Sequence, residues 1–99
     1  MIVVTATLKA QPGKEGELEA VLRRLVEHTQ GEDGTLAYAL HRSAEDPTVY
    51  LFYERYADQE ALQRHTGNDG FRALGRELAP YLAERPQLAR FELVAEVDR

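Results

Sequence analysis

Cysteine is missing from the 99 residues, and its absence removes several kinds of chemistry at once. Such a chain has no disulfide framework, no thiol nucleophile and no thiolate ligand for a metal ion. Histidine is scarce too, and His28, His41 and His65 stand far apart, in neither an HxH nor an HxxxH spacing. Because metal sites usually show such spacings, and because no GxGxxG follows the first predicted strand, we expect neither a metal nor another cofactor.

Basic residues are in the minority, with 12 Lys and Arg against 17 Asp and Glu and a net charge of −5. No block of Lys or Arg could follow a phosphate backbone, so we expect no nucleic acid partner. No apolar run approaches the roughly 18 residues of a membrane span, and the first residues read as a strand rather than as a leader segment. We therefore expect no membrane association and a cytoplasmic location.

The chain does contain a regular succession of strand and helix patterns, which predicts one domain over residues 1–99. The stretch MIVVTATLKA alternates and is rich in β-branched residues, as strands are. A helix is predicted to follow, because an apolar stripe at helical spacing is formed by Leu18, Val21, Leu22, Leu25 and Val26. The glycine-bounded run 31–34 is expected to end it.

The second half of the chain continues the pattern. TLAYALHRS and TVYLFYERY read as two strands joined by a turn over residues 44–47. Asp58 is expected to cap a short helix, DQEALQRHTG, and Pro80 is expected to kink or divide a further helix, FRALGRELAPYLAER. The alternation in PQLARFELVAEV predicts a last strand that carries Leu88, Phe91, Leu93 and Val94.

The resulting order, β-α-β-β-α-(α)-β, is typical of an α+β, ferredoxin-like domain, in which an antiparallel sheet carries its helices on one face. A sheet face left in water usually carries polar residues. The third predicted strand is apolar on both faces, since Tyr50, Phe52 and Tyr56 alternate with Val49, Leu51 and Tyr53. One chain has helices for only one face, so we expect a homodimer that pairs sheet to sheet.

His65 lies on the apolar face of its short helix, three residues after Leu62 and four after Ala61. It is either a histidine at the edge of the core that bonds a carbonyl group, or a proton donor or acceptor in a pocket, since histidines titrate near neutral pH. A short helix that ends at Thr66-Gly67 is expected to pack loosely. We therefore expect His65→Ala to cost little stability, and Leu62→Ala on the same helix is the comparison that separates a catalytic from a structural role.

Glu54 shares a strand face with aromatic residues, where a carboxylate is costly to bury without a partner. It is expected to have either a functional role or a partner, and the available partners are Arg42, Arg55 of the partner subunit and a tyrosine hydroxyl.

Tyr38, Tyr53 and Tyr56 either hold a substrate hydroxyl or simply pack, as most tyrosines in strands do. The register of the hairpin decides which residues share their face. One register sets Ala37, Ala39 and His41 opposite Tyr50, Phe52 and Glu54. The other sets Tyr38, Leu40 and Arg42 there, and the residues alone leave both open.

Three segments resemble the antibiotic biosynthesis monooxygenase domains of the dimeric α/β barrel superfamily. They are MIVVTATLKAQPGKEGELEAVL, EDGTLAYALHRSAEDPTVYLFYERYADQEALQRH and GFRALGRELAPYL, which span nearly the whole chain. The resemblance implies two ferredoxin-like subunits paired through their sheets, each with a pocket between its sheet and its helices. It matches His65 to a histidine common in the short helix after the third strand, and Glu54 to a glutamate common in that strand.

The chain departs from the family pattern at two places. Tyr56 stands where relatives often have tryptophan, and residues 69–71 read DGF where many relatives read PHF, so a possible second pocket histidine is missing. The haem-degrading branch of the family uses asparagine, tryptophan and histidine. The nearest positions here hold Ala6, His65 and Gly75, so haem degradation is not expected.

The resemblance implies chemistry less firmly than fold, because one fold hosts many activities. Characterised members resemble cofactor-free oxygenases of quinols and anthrone-type polyketides. We therefore predict a cofactor-independent monooxygenase that acts on a small phenolic, quinol or anthrone-like ligand. The alternatives are a dimeric ligand-binding or stress-related domain without turnover, and an isomerase of a small metabolite that uses the same base.

The predicted roles follow from residue chemistry. His65 would be the acid or base. The phenolic oxygen of the substrate would be placed by Tyr38, Tyr53 or Tyr56, and Glu54 belongs to the same binding set. The apolar walls would be formed by Phe52 and Phe71.

Overall fold

The structure, a computed structural model, describes all of residues 1–99. Four strands form one antiparallel sheet in the order β2-β3-β1-β4, which confirms the ferredoxin-like prediction. The strands are β1 (Ile2–Lys9), β2 (Thr35–Arg42), β3 (Val49–Tyr56) and β4 (Gln87–Glu92). The helices are α1 (Glu15–Thr29), α2 (Gln59–Thr66) and α3 (Asp69–Leu78), and a single 3-10 turn follows at Ala79–Tyr81.

Two predicted boundaries changed in the last third of the chain. The helix predicted to run past Pro80 ends at Leu78, and the proline lies in the 3-10 turn, because its ring cannot continue an α-helical ladder. The prediction that Leu93 and Val94 belong to the last strand is wrong. β4 ends at Glu92, which pairs with Ile2, and β1 has no residue beyond Ile2 in the sheet to pair with the next ones.

The main core lies between α1 and the sheet. Leu18 and Leu22 are fully buried, and they belong to a cluster that also contains Leu8, Tyr50 and Phe52. The apolar stripe therefore formed the predicted contact, since side chains three and four residues apart lie on one side of a helix.

The hairpin between β2 and β3 takes the second of the two registers. Tyr38 lies opposite Glu54, Leu40 opposite Phe52 and Arg42 opposite Tyr50. The register shifts between Thr35 and Ala37, so that one extra residue bulges out of β2. The side chains of Tyr38, Phe52 and Glu54 consequently share the sheet face that the helices cover.

One row of side chains crosses all four strands on that face. Tyr38 of β2 pairs with Glu54 of β3, Glu54 pairs with Val4 of β1, and Val4 pairs with Arg90 of β4. Neighbouring strands lie about 4.8 Å apart, so the backbones of Glu54 and Arg90 are separated by about 10 Å. This row forms the floor of the site described below.

The opposite face carries Val3, Leu51, Tyr53 and Phe91, and all three helices pack on the other side. Phe91 is 52% exposed there. The face also carries Thr5, Thr7 and Arg55, so it is mixed rather than uniformly apolar as the sequence predicted. None of the helices combines the length and the apolar character that a membrane crossing requires.

Candidate functional site

A cavity of about 630 Å³ lies between the covered face of the sheet and the helices. Its walls are mainly apolar, and the polar groups among its lining residues are few. Its lining residues include Tyr38, Phe52 and Glu54 of the sheet, His65 of α2 and Phe71 of α3. Five of the seven residues proposed from the sequence are therefore brought together. A largely apolar pocket with a few converging polar groups is typical of small-molecule sites.

Tyr56 and Tyr53 have different positions. Tyr56 is fully buried and does not line the cavity, although its ring lies 5.5 Å from the imidazole of His65. Tyr53 points to the opposite face of the sheet, since residues alternate along β3, and it does not line the cavity.

The backbone of α2 sets the place of His65. Asp58 begins the helix by accepting a hydrogen bond from the backbone N–H of Ala61 at 2.9 Å, which confirms the predicted cap. Ala61 and His65 lie one turn apart on the same helix face, and both are buried. The helix packs closely on the turn before β2 because Gly34 has no side chain. A Cβ there would lie 2.6 Å from the Cβ of Ala61, and the φ of +84° also favours glycine.

This close packing brings Glu32 to His65. The Nδ1 atom of the imidazole lies 2.8 Å from the Oε1 atom of Glu32, which also accepts a hydrogen bond from the Thr35 hydroxyl at 3.0 Å. Because a carboxylate oxygen accepts, Nδ1 carries the hydrogen and Nε2 is left with its lone pair. In neutral imidazole, Nε2 is then the basic atom.

Aromatic rings surround that imidazole. The ring centres of Tyr38 and Phe71 lie 4.9 Å and 4.5 Å from it, in tilted arrangements. Within this enclosure Nε2 is buried and has no hydrogen-bond partner. A buried acceptor without a partner costs stability, and such groups are uncommon unless they serve a function.

The depth of His65 corrects the sequence-based interpretation. His65 is only 2% exposed, whereas Leu62 is half-buried and lines the cavity. The premise that the helix packs loosely at His65 is therefore wrong, and with it the reason for expecting that removal of the imidazole costs little stability. Leucine is more hydrophobic than histidine, but hydrophobicity does not decide burial here. The face of α2 that contacts the sheet is the one that carries Ala61 and His65.

Glu54 has a tyrosine hydroxyl as its partner, one of the three alternatives that the sequence left open. Tyr56 donates a hydrogen bond to the Oε1 atom of Glu54 at 2.6 Å. Burial raises the pKa of Glu54 to about 7, although the hydrogen bond from Tyr56 acts in the opposite direction. Near neutral pH this carboxyl group is therefore present in both protonation states, and its protonated form can donate.

The two tyrosines near it stay protonated. Burial is the main cause that raises the pKa of the Tyr38 hydroxyl, and the charges of Glu54 and Glu32 act in the same direction. Burial and the hydrogen bond to Glu54 raise the pKa of Tyr56. Tyr38 also stacks on Phe52, with ring centres 4.6 Å apart and planes 25° apart, which holds it at the cavity wall.

Glu32 is the site residue that sequence reasoning missed. Its segment, the run from Gly31 to Gly34, was interpreted only as the end of a helix. The signal was topological. β2 and β3 are antiparallel, so the start of β2 lies beside the end of β3. Because α2 follows β3, an acidic residue just before β2 lies near α2. No cluster of three or more His, Asp or Glu side chains is arranged to hold a metal ion.

Fold and site together define a ferredoxin-like α+β domain with a mainly apolar cavity between its sheet and its helices. The sequence pattern of the antibiotic biosynthesis monooxygenase family matches residues 1–77, and the chain belongs to this family.

Relatives agree with this assignment. The chain is 31% identical over 94 residues to a Bacillus subtilis protein named "Putative monooxygenase YcnE", a match that covers 90% of this chain and 99% of the relative.

Solved structures match as well. A Caulobacter crescentus structure, described as "a putative antibiotic biosynthesis monooxygenase", is 39% identical with a TM-score of 0.89 and covers 95% of this chain and 90% of its own. The structure of PA3566 from Pseudomonas aeruginosa is 30% identical with a TM-score of 0.87, and the match covers 95% of this chain and 94% of PA3566. Rv0793 of Mycobacterium tuberculosis, at 24% identity and a TM-score of 0.90, covers 98% of each chain and supports the fold alone.

Proposed function

We propose that the protein is a cofactor-independent monooxygenase that acts on a small phenolic, quinol or anthrone-like compound. The observation that carries the proposal is the pairing of Glu32 with Nδ1 of His65, a residue that lines the apolar cavity. The pairing leaves Nε2 buried and without a hydrogen-bond partner. A carboxylate that orients an imidazole through Nδ1 is a recurrent way to prepare a general base.

The first step is removal of a proton. For an anthrone, Nε2 of His65 takes a proton from the ring methylene group, and the substrate becomes an electron-rich enolate. The enolate transfers one electron to O₂, and recombination of the two radicals forms a carbon–oxygen bond to give a peroxide. Loss of water then converts the methylene group into a carbonyl group. One oxygen atom of O₂ enters the product and the other leaves as water, so atoms and electrons balance without a further reductant.

Tyr38 and Glu54 complete the proposed chemistry. Both lie in one row of the sheet, and both bear a proton in the form that donates to a developing oxyanion. The apolar walls, which include Phe52, keep water away from the enolate. Phe71 is half-buried, and its ring covers the imidazole at 4.5 Å. The proposal requires this ring to move aside for a substrate to reach Nε2, which is buried.

Isomerisation of a small metabolite is the second candidate, and the placement of Glu54 favours it. A cavity that holds both a base and a carboxyl group with a pKa of about 7 can remove a proton at one atom and return one at another. Such a reaction consumes no oxygen. A binding domain without turnover would hold its ligand in the same cavity, and it would neither remove a proton from the ligand nor return one.

The proposal includes a homodimer in which two subunits pair through their uncovered sheet faces. The support is a set of apolar residues on that face that no helix covers, namely Val3, Leu51, Tyr53 and Phe91. Obligate interfaces of this kind typically bury about 2,000 Å² or more in total.

Oxygen consumption tests the proposal. The purified protein is mixed with a panel of quinols, anthrones and simple phenols, and oxygen uptake is recorded with wild type, His65→Gln and Tyr53→Phe. We expect uptake with at least one anthrone or quinol, a loss of about 10²–10⁴-fold in His65→Gln, and an unchanged rate in Tyr53→Phe. Saturable binding without uptake would instead support the binding domain, and product formation without uptake would support the isomerase.

A further inference from the structure

Arg90 is the one Lys or Arg side chain that lines the cavity. It lies on β4, the edge strand of the sheet, and its register partner Val4 places it on the covered face in the row that contains Glu54. The cavity therefore has two chemically different ends. The buried end holds His65, Tyr38 and Glu54, and the open end at the sheet edge holds a guanidinium group.

The guanidinium group of Arg90 has no acidic partner. Its Nη2 atom donates to the side-chain oxygen of Gln59 at 2.7 Å, and it makes no salt bridge. Gln59 is the first residue of α2, so this neutral contact holds the arginine between the sheet edge and the helix. A guanidinium group has five N–H donors, and most of them remain free for a ligand.

The surface between the two ends is apolar. Val4 separates Glu54 from Arg90 in the row, and Leu88, which is 73% exposed, adjoins the open end on β4. The only carboxyl group that lines the cavity is that of Glu54, whose backbone lies about 10 Å from that of Arg90, at two strand spacings. An anionic group at the open end would thus meet a cation and no carboxylate of the cavity wall.

We propose that Arg90 selects substrates that carry a carboxylate on the aromatic framework, at the end remote from the group that is deprotonated. The inference rests on the proposed function, because it assumes that the phenolic or enolic end of the substrate lies at His65. Arginine matches a carboxylate through paired N–H donors, and such charge-assisted bonds exceed neutral ones in strength. The position at the rim limits the gain, since water screens the pair.

Binding of a matched pair of ligands tests the inference without any need for turnover. The probes are 6-hydroxy-2-naphthoate and its methyl ester, which share one ring system and differ in charge. Their fluorescence is titrated with wild type, Arg90→Gln and Arg85→Gln. Arg85 serves as the control because it is an exposed arginine outside the cavity.

We expect Arg90→Gln to weaken binding of the acid by about tenfold and to leave binding of the ester within about twofold, whereas Arg85→Gln changes neither. Equal losses for both probes would overturn the inference, because they would show that Arg90 only packs against the ring. No change for either probe, or no binding of either probe to wild type, would overturn it as well. Oxygen uptake with neutral phenols and anthrones decides the proposed function independently.

Discussion

Glu32 and His65 come from segments 33 residues apart, yet their side chains meet at 2.8 Å through Oε1 and Nδ1. His65 is fully buried in this arrangement, and its second ring nitrogen has no partner. The carboxylate therefore determines which nitrogen carries the hydrogen, and with it which nitrogen can act as a base. Glu32 is in this sense a positioning residue for His65.

The tautomer of His65 is a prediction that needs no substrate. In ¹⁵N–¹H correlation spectra of the neutral imidazole, we expect wild type to carry its ring hydrogen on Nδ1. In Glu32→Ala the hydrogen loses its acceptor, so the population should move toward the tautomer with hydrogen on Nε2. Glu45→Ala, which removes an exposed carboxylate, should leave the spectrum unchanged. An Nε2–H tautomer in wild type would refute the role of Glu32.

Stability should follow burial rather than hydrophobicity along α2. His65→Ala removes a fully buried ring and strands the partner carboxylate of Glu32, so we expect a loss of about 2–4 kcal/mol in the free energy of unfolding. Leu62→Ala, at a half-buried position, should lose about 1 kcal/mol. Urea unfolding measures both. A larger loss for Leu62→Ala than for His65→Ala would contradict the packing described above.

Glu54 should make stability depend on pH. Burial raises its pKa in the folded state from the ordinary 4.5 to about 7, so between these values the folded chain binds more protons than the unfolded chain. The free energy of unfolding should therefore fall as pH rises through this window, by up to about 3 kcal/mol.

Glu54→Gln isolates this contribution, because glutamine still accepts from Tyr56 but does not ionise. Relative to wild type, the variant should gain stability between pH 4.5 and 8, and the control Glu45→Gln should not. Parallel stability curves for wild type and Glu54→Gln would show that Glu54 titrates like an exposed glutamate.

The proposed dimer predicts a response at the uncovered face of the sheet. Leu51 lies at the middle of β3 on that face, and Leu51→Glu would bury a carboxylate in the interface. Sedimentation velocity at micromolar concentration should give a dimer for wild type and for Arg72→Glu, an exposed change on α3, and a monomer for Leu51→Glu. A wild-type protein that sediments as a monomer would remove the dimer from the proposal.

Features with a local cause were predictable from the sequence. The stripe through Leu18 and Leu22 and the cap at Asp58 depend on residues within a few positions of one another, and both formed as predicted. The strand order followed from the succession of elements.

Features that depend on distant residues were not predictable in the same way. The turn of the hairpin pairs Arg42 with Tyr50, and this register decided which face Tyr38 takes, since a change of register by one residue reverses every side chain of a strand. The contact of Glu32 with His65 required the close approach of α2 to Gly34, which is a tertiary contact. Tyr53 does not line the cavity, because side chains alternate along β3 and those of its neighbours Phe52 and Glu54 point to the covered face.

Removal of a proton from the bound substrate by His65 is the central claim, and it can be measured without oxygen. An anthrone that is accepted in the oxygen-uptake panel is mixed anaerobically with wild type and with His65→Gln near neutral pH, and the absorption spectrum of the bound ligand is recorded. We predict that the enolate band appears with wild type and is absent with His65→Gln, although both proteins bind the ligand. An enolate band of equal intensity in the two proteins, or a neutral ligand spectrum in both while wild type still consumes oxygen, would contradict the account.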